Sequence, residues 1–311
     1  MSPKFAFAAL LGLAAALPVW AGNLEKPSRA VREQGAPRAA TEIVQTVQRG
    51  SEHGATQLSN RTAGVSRLPT QRIVVMTPDI ADIVVALDAG KEVVGRDRSS
   101  KAPALAQAQV VGFSRALNAE TIARLKPTLV LGSAEAQPPT VWAQLRQLQV
   151  RAEEVTRRED GADFADAIRK VGQLLGRDAH AQQLASRWQR EMTPRPARGV
   201  RYLVSYDGQL VAGRDTAADT LIRAAGGVNV ASQLSGFKPM ARDAWQSLRP
   251  DVIILGSHTG AVHGGKEAFS KRPEIASTPA GKQGRIYLLP AKDSMMVGLN
   301  SPAVVEQMVK M

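Results

Sequence analysis

Apolar and polar positions fall into three regimes along the chain. From Phe5 to about Leu17 the sequence is almost continuously apolar, with Lys4 before it and Pro18-Val-Trp-Ala21 after it. A short positive start, an apolar run too short to span a bilayer comfortably, and small or branched residues ahead of a cleavage point predict a cleavable secretory signal over residues 1–21. From Gly22 to about Thr70 the pattern loses its period, and only Ile43, Val44 and Val47 keep helical spacing. Residues 22–70 are expected to form a polar leader, mobile or loosely packed.

Beyond Thr70 the pattern alternates between strand and helix. Arg72-Ile-Val-Val-Met76 reads as a buried strand, Ile80 to Leu87 as a helix stopped at Ala89-Gly90, and Glu92 to Gly95 as a further strand. Two segments then repeat one another. Glu120 stands seven residues before Pro127 and leads into the strand Thr128-Leu-Val-Leu131, while Asp243 stands seven before Pro250 and leads into Asp251-Val-Ile-Ile-Leu255. Upstream, Ala81-Asp82 with Ala89-Gly90 answers Ala218-Asp219 with Gly226-Gly227. Agreement in the same order predicts two lobes of related architecture. Between them, Ala162 to Met192 carries Phe164, Ile168, Val171, Leu174 and Leu175 on one face, continued by Leu184 and Trp188, and it stops at Thr193-Pro-Arg-Pro196. The expected fold is α/β, with two small parallel-type sheets flanked by helices and joined by one long linking helix. The N-terminal lobe covers 71–160, the helix 161–195 and the C-terminal lobe 196–311. A cleft between lobes is where such a molecule binds a ligand.

Composition narrows the chemistry. The chain has 311 residues, 44% of them apolar, which is enough for packed cores and excludes disorder throughout. It has no cysteine, so disulfides, thiolate nucleophiles, cysteine metal sites and a lipidated N-terminal cysteine are all excluded. Forty Lys and Arg against 28 Asp and Glu leave a net charge of +12. No run of adjacent basic residues exceeds two, so the excess suits an anionic small ligand better than a nucleic acid. No Gly-x-Ser-x-Gly elbow, phosphate loop, His-Glu-x-x-His or Gly-x-Gly-x-x-Gly after a strand is present, and a binder is expected rather than an enzyme.

Val111-Gly-Phe-Ser-Arg115-Ala-Leu-Asn-Ala-Glu120, Leu125-Lys-Pro-Thr-Leu-Val-Leu131, Ala212-Gly-Arg-Asp-Thr-Ala-Ala-Asp219, Ala225-Gly-Gly-Val-Asn229, Gly236-Phe-Lys-Pro239 and Thr278-Pro-Ala-Gly281 carry a resemblance. In these stretches the chain, from about Gln71 onward, resembles the periplasmic substrate-binding proteins of ABC importers, and within them the haemin-binding proteins. The resemblance implies a monomeric periplasmic carrier that delivers haem, as transported ligand, to an inner-membrane ABC permease. It also implies that Glu120 and Asp243 face basic residues of that permease; as first-turn helix acids they would equally be stabilised by the macrodipole.

One position departs from the family. Haemin-binding relatives place a Tyr, an axial iron ligand, in the motif Gly-Tyr-x-Arg, and here Phe113 stands there while Arg115 is kept. Three readings follow. Another side chain ligates the iron: His258 or His263 in the Gly-rich loop after Val252 to Leu255, or else Tyr206 or Met295. Alternatively haem is held by apolar contact and by Arg115, Arg214 and Lys238 on its propionates. In the third, the cleft takes a corrinoid or an iron chelate and Phe113 is a wall.

Overall fold

The structure, a computed structural model, describes residues 71–258 and 264–311. The expected signal (1–21), the expected leader (22–70) and His263 lie outside the described residues. All described residues belong to one compact unit.

β-branched runs flanked by turn residues set the strands, and amphipathic runs the helices between them. In chain order the first half has β1 (Ile73–Val75), α1 (Pro78–Ala86), β2 (Val93–Asp97), β3 (Gln109–Phe113), β4 (Ala116–Leu117), α2 (Ala119–Ala123), β5 (Leu129–Ser133), α3 (Thr140–Gln147) and β6 (Ala152–Thr156). These strands form one six-stranded sheet in the order β4-β3-β2-β1-β5-β6, parallel except for the β3–β4 hairpin.

Helices α4 (Phe164–Leu175) and α5 (Asp178–Glu191) then lead to the second half. It comprises β7 (Arg201–Ser205), β8 (Leu210–Ala212), α6 (Ala217–Ala224), β9 (Val228–Asn229), β10 (Phe237–Pro239), α7 (Arg242–Ser247), β11 (Val252–Gly256), α8 (Gly265–Ser270), α9 (Pro273–Ala276), α10 (Pro279–Lys282), β12 (Ile286–Leu289), α11 (Ala291–Ser294) and α12 (Ser301–Lys310). Its sheet runs β10-β8-β7-β11-β12, with β9 added to β7. The molecule thus has two separate sheets flanked by helices.

The linking stretch differs from the single helix expected from its periodicity. Gly176 takes a left-handed conformation (φ 66°) and caps α4, so the chain turns back and α5 packs against α4 as a hairpin. The two helices approach closely at Gly172, where a Cβ would lie 2.1 Å from that of Ala181. The apolar face persists through the break because both helices bury it.

Alternate strand residues face opposite sides, and both sides are covered. Ile73 and Val75 belong to a core that continues through Phe164, Val171 and Trp188 to Tyr202, Val204 and Ile254 of the second sheet. Val74 and Met76 face a separate cluster with Trp142, and Leu203 and Ile253 face another with Trp245 and Phe269. The helical pair therefore shares a single core with both lobes.

The internal repeat is atomic in its detail. In each half the helix carrying the repeated acid is followed, just before the proline, by a residue with positive φ, Lys126 (48°) and Arg249 (46°). The freed carbonyls at each helix end are capped by an arginine from the strand entrance. Arg72 donates to Leu125 O (2.7 Å) and Lys126 O (3.2 Å), and Arg201 donates to Leu248 O (2.9 Å) and Arg249 O (3.2 Å).

Candidate functional site

In open α/β sheets, ligands gather beyond the carboxyl ends of the strands. Here the ends of β3, β5, β6 and β7 lead into one cavity of about 330 Å³ between the two halves. Arg115, Glu135, Gln137 and Glu159 line it from the first half; Tyr206, Leu210, Phe237 and Met295 line it from the second. A smaller recess beside it is lined by Asp79, Arg158 and Met296.

Several contacts link the elements of the two halves. Thr220 Oγ1 donates to Asp160 O at 2.8 Å, Lys292 pairs with Asp82 at 3.5 Å, and Trp188 Nε1 donates to Gly298 O at 2.9 Å. Gly161 (φ 68°) packs against Val297 so tightly that a Cβ would lie 2.3 Å from that side chain. The forked pair of Arg158 with Asp160 fixes this loop, and the Arg158 hydrogen bond holds the Asp160 carboxyl below its ordinary range.

The charged lining is mixed. Arg115 Nη2 lies 3.0 Å from Glu135 Oε2. Burial raises the Glu135 carboxyl above the usual carboxylate range; Arg115 opposes this, and Asp79 and Glu159 add to it. Asp79, buried in the first turn of α1, accepts a hydrogen bond from Ser133 Oγ at 3.2 Å. Burial raises its carboxyl too, against hydrogen bonds from Thr77 and Ser133.

The structure brings together some of the expected site residues and separates others. Arg115, Tyr206 and Met295 line the cavity. Phe113 is 47% exposed at the end of β3, two residues from Arg115. His258 sits ring to ring with Tyr206, centroids 4.3 Å apart and planes at 47°. Its imidazole also lies over Gly256, where a Cβ would come within 2.5 Å of it. Arg214 and Lys238 are not among the lining residues. Arg214 is engaged with Gln233 O (3.1 Å) and Asp215 (3.5 Å), and Lys238 alternates with Phe237 along β10, so Phe237 is the one that lines the cavity. Glu120 and Asp243 are exposed in the first turns of α2 and α7, with Glu120 3.9 Å from Arg124. Glu135, Glu159 and Gln137 were not expected from the sequence, because no motif or spacing marks them.

The comparisons agree with this architecture. Residues 73–292 match the periplasmic binding protein family. The periplasmic heme-binding protein RhuT of Roseiflexus sp. RS-1, in apo form, is 32% identical, with a TM-score of 0.69 over 77% of this chain and 97% of that one. The periplasmic heme-binding protein BhuT, in complex with two hemes, is 31% identical, with a TM-score of 0.70 over the same shares. The uncharacterized ABC transporter substrate-binding lipoprotein YvrC of Bacillus subtilis strain 168 is 24% identical over 263 residues, 80% of each chain. The two sheets, the interlobe cavity and these matches converge on one conclusion: the chain belongs to the periplasmic binding protein family, the extracytoplasmic substrate-binding partners of ABC transporters, and it is a transport protein rather than an enzyme.

Proposed function

We propose that the protein carries haem from the periplasm to an inner-membrane ABC permease. The observation that carries this reading is the composition of the interlobe cavity: an oxygen donor (Tyr206), apolar walls (Phe237, Met295) and a cation (Arg115) meet in a fold shared with haem-binding proteins. A flat apolar macrocycle with carboxylates needs those three elements.

Phe113 has no lone pair for iron. Tyr206 on the opposite lobe supplies the phenolic oxygen, a donor known for ferric haem, and His258 against its ring orients it. Arg115 clamps a propionate, and the guanidinium suits a carboxylate in bidentate fashion. The excess of Lys and Arg over Asp and Glu, with Arg214 and Lys238 outside the cavity, draws the anionic ligand in. Glu120 and Asp243, presented by equivalent helices of the two lobes, dock the permease. Residues 1–21 direct export and are removed, and the carrier acts as a monomer without nucleic-acid contacts.

A corrinoid or iron chelate is the competing ligand class, favoured only by Phe113. Quenching of tryptophan fluorescence by ferric haem, a cobalt corrinoid and a ferric chelate separates them. Saturable quenching by haem alone is expected; saturation by either of the others, with none by haem, would overturn the reading.

A further inference from the structure

Arg115 and Glu135 are unequal partners. The Arg115 side chain is 67% exposed and that of Glu135 18%, so an entering anion meets the guanidinium first, with the carboxylate behind it. Arg115, from the β3–β4 turn, is the countercharge of Glu135; Asp79 from α1 and Glu159 from the loop after β6 face it as like charges. Arg158 lines the neighbouring recess but is engaged by Asp160.

One guanidinium does not neutralise two carboxylates in a partly buried wall, and a carboxylate that loses its countercharge beside two acids binds a proton instead. We propose that a carboxylate-bearing ligand exchanges partners with Glu135 at Arg115, and that Glu135 takes up a proton from solvent as the ligand binds. Glu135 is thereby the residue that makes the cleft sensitive to pH and selective for ligands with an acid group. This rests on the haem reading, in which a propionate is the incoming carboxylate. Arg115 stays charged throughout, and no covalent bond between heavy atoms changes.

The sign follows from linkage. The Glu135 carboxyl binds its proton more tightly in the complex than in the empty protein, so affinity is highest in acid and falls as pH rises through the value for the complex. One proton allows a slope of at most about tenfold per pH unit.

Ferric haem and iron-free protoporphyrin, both dicarboxylic, are titrated from weakly acid to weakly alkaline pH into the wild type, Glu135→Gln and Arg115→Gln. Calorimetry in buffers of different ionisation heat counts the protons. In the wild type protoporphyrin is expected to bind more weakly as pH rises, with net proton uptake; ferric haem, whose ligation by Tyr206 releases the phenol proton, should show about one proton less of net uptake. Glu135→Gln should bind both more tightly at the alkaline end and take up about one proton fewer with each, which leaves a shallow slope for protoporphyrin; Arg115→Gln should bind weakly, with a shallow slope for protoporphyrin. An unchanged slope and uptake in Glu135→Gln would overturn the proposal. A slope for haem but not for protoporphyrin would also overturn it, placing the titration at the iron. Failure of both porphyrins to bind at every pH would remove the haem reading, and this inference with it.

Discussion

His258 braces Tyr206: the two rings meet at 4.3 Å between centroids with their planes at 47°, and the phenol is the one that lines the interlobe cavity. A side chain that donates to a metal needs a neighbour to fix its rotamer, and the imidazole pinned over Gly256 does that. Tyr206→Phe is therefore expected to remove the phenolate-to-iron absorption band of the ferric complex and weaken binding by roughly tenfold or more, while His258→Ala keeps the band and weakens binding less. Absorption spectra of the two variants with ferric haem check this. Loss of the band only in His258→Ala would make the histidine the ligand.

Docking acids should act without touching the cavity. Glu120 and Asp243 sit at matching places of the repeat, each on a short helix whose end is tied down by Arg72 or Arg201. Exposed charges of this kind orient encounters more than they tighten them. Reversal of both, Glu120→Lys with Asp243→Lys, is expected to abolish permease-dependent haem uptake in membrane vesicles and leave haem affinity unaltered. Uptake at the wild-type rate would remove the docking role.

The helical hairpin tolerates no added volume where it is tightest. Gly172→Ala gains about 1 kcal/mol of helix propensity, but its methyl meets Ala181 in a fully packed seam, where overpacking costs roughly 1–3 kcal/mol. Net destabilisation of about 1–2 kcal/mol is expected from urea unfolding.

Asp79 makes stability depend on pH. Its carboxyl is raised by burial, so the folded state holds a proton that the unfolded chain releases more easily. The stabilisation this gives is complete below the unfolded value and is lost as pH rises through the folded value. Asp79→Asn removes the titration. Thermal unfolding is expected to show the variant more stable than the wild type at neutral pH, with the difference shrinking in acid; a constant difference across pH would contradict this.

The architecture was legible because burial writes itself into period. Ile73 to Met76 and Val252 to Leu255 are apolar at every position since both sheet faces are covered, and Leu-Lys-Pro against Leu-Arg-Pro marked a helix end that the structure repeats down to the capping arginine. The break at Gly176 was hidden, because a hairpin that buries the same face on both arms keeps the helical spacing of one helix. The cavity was harder to read. Lys238 stood out by charge, yet strand alternation gives the lining position to Phe237. Glu135 and Glu159 come from connections after β5 and β6, where side-chain direction depends on loop geometry rather than on any period.

The most direct measurement is a Soret titration of the exported form with ferric haem. A cleft carrier predicts a shifted band that saturates at about one equivalent. A band that grows linearly with added haem, at the position of haem free in buffer, would contradict it.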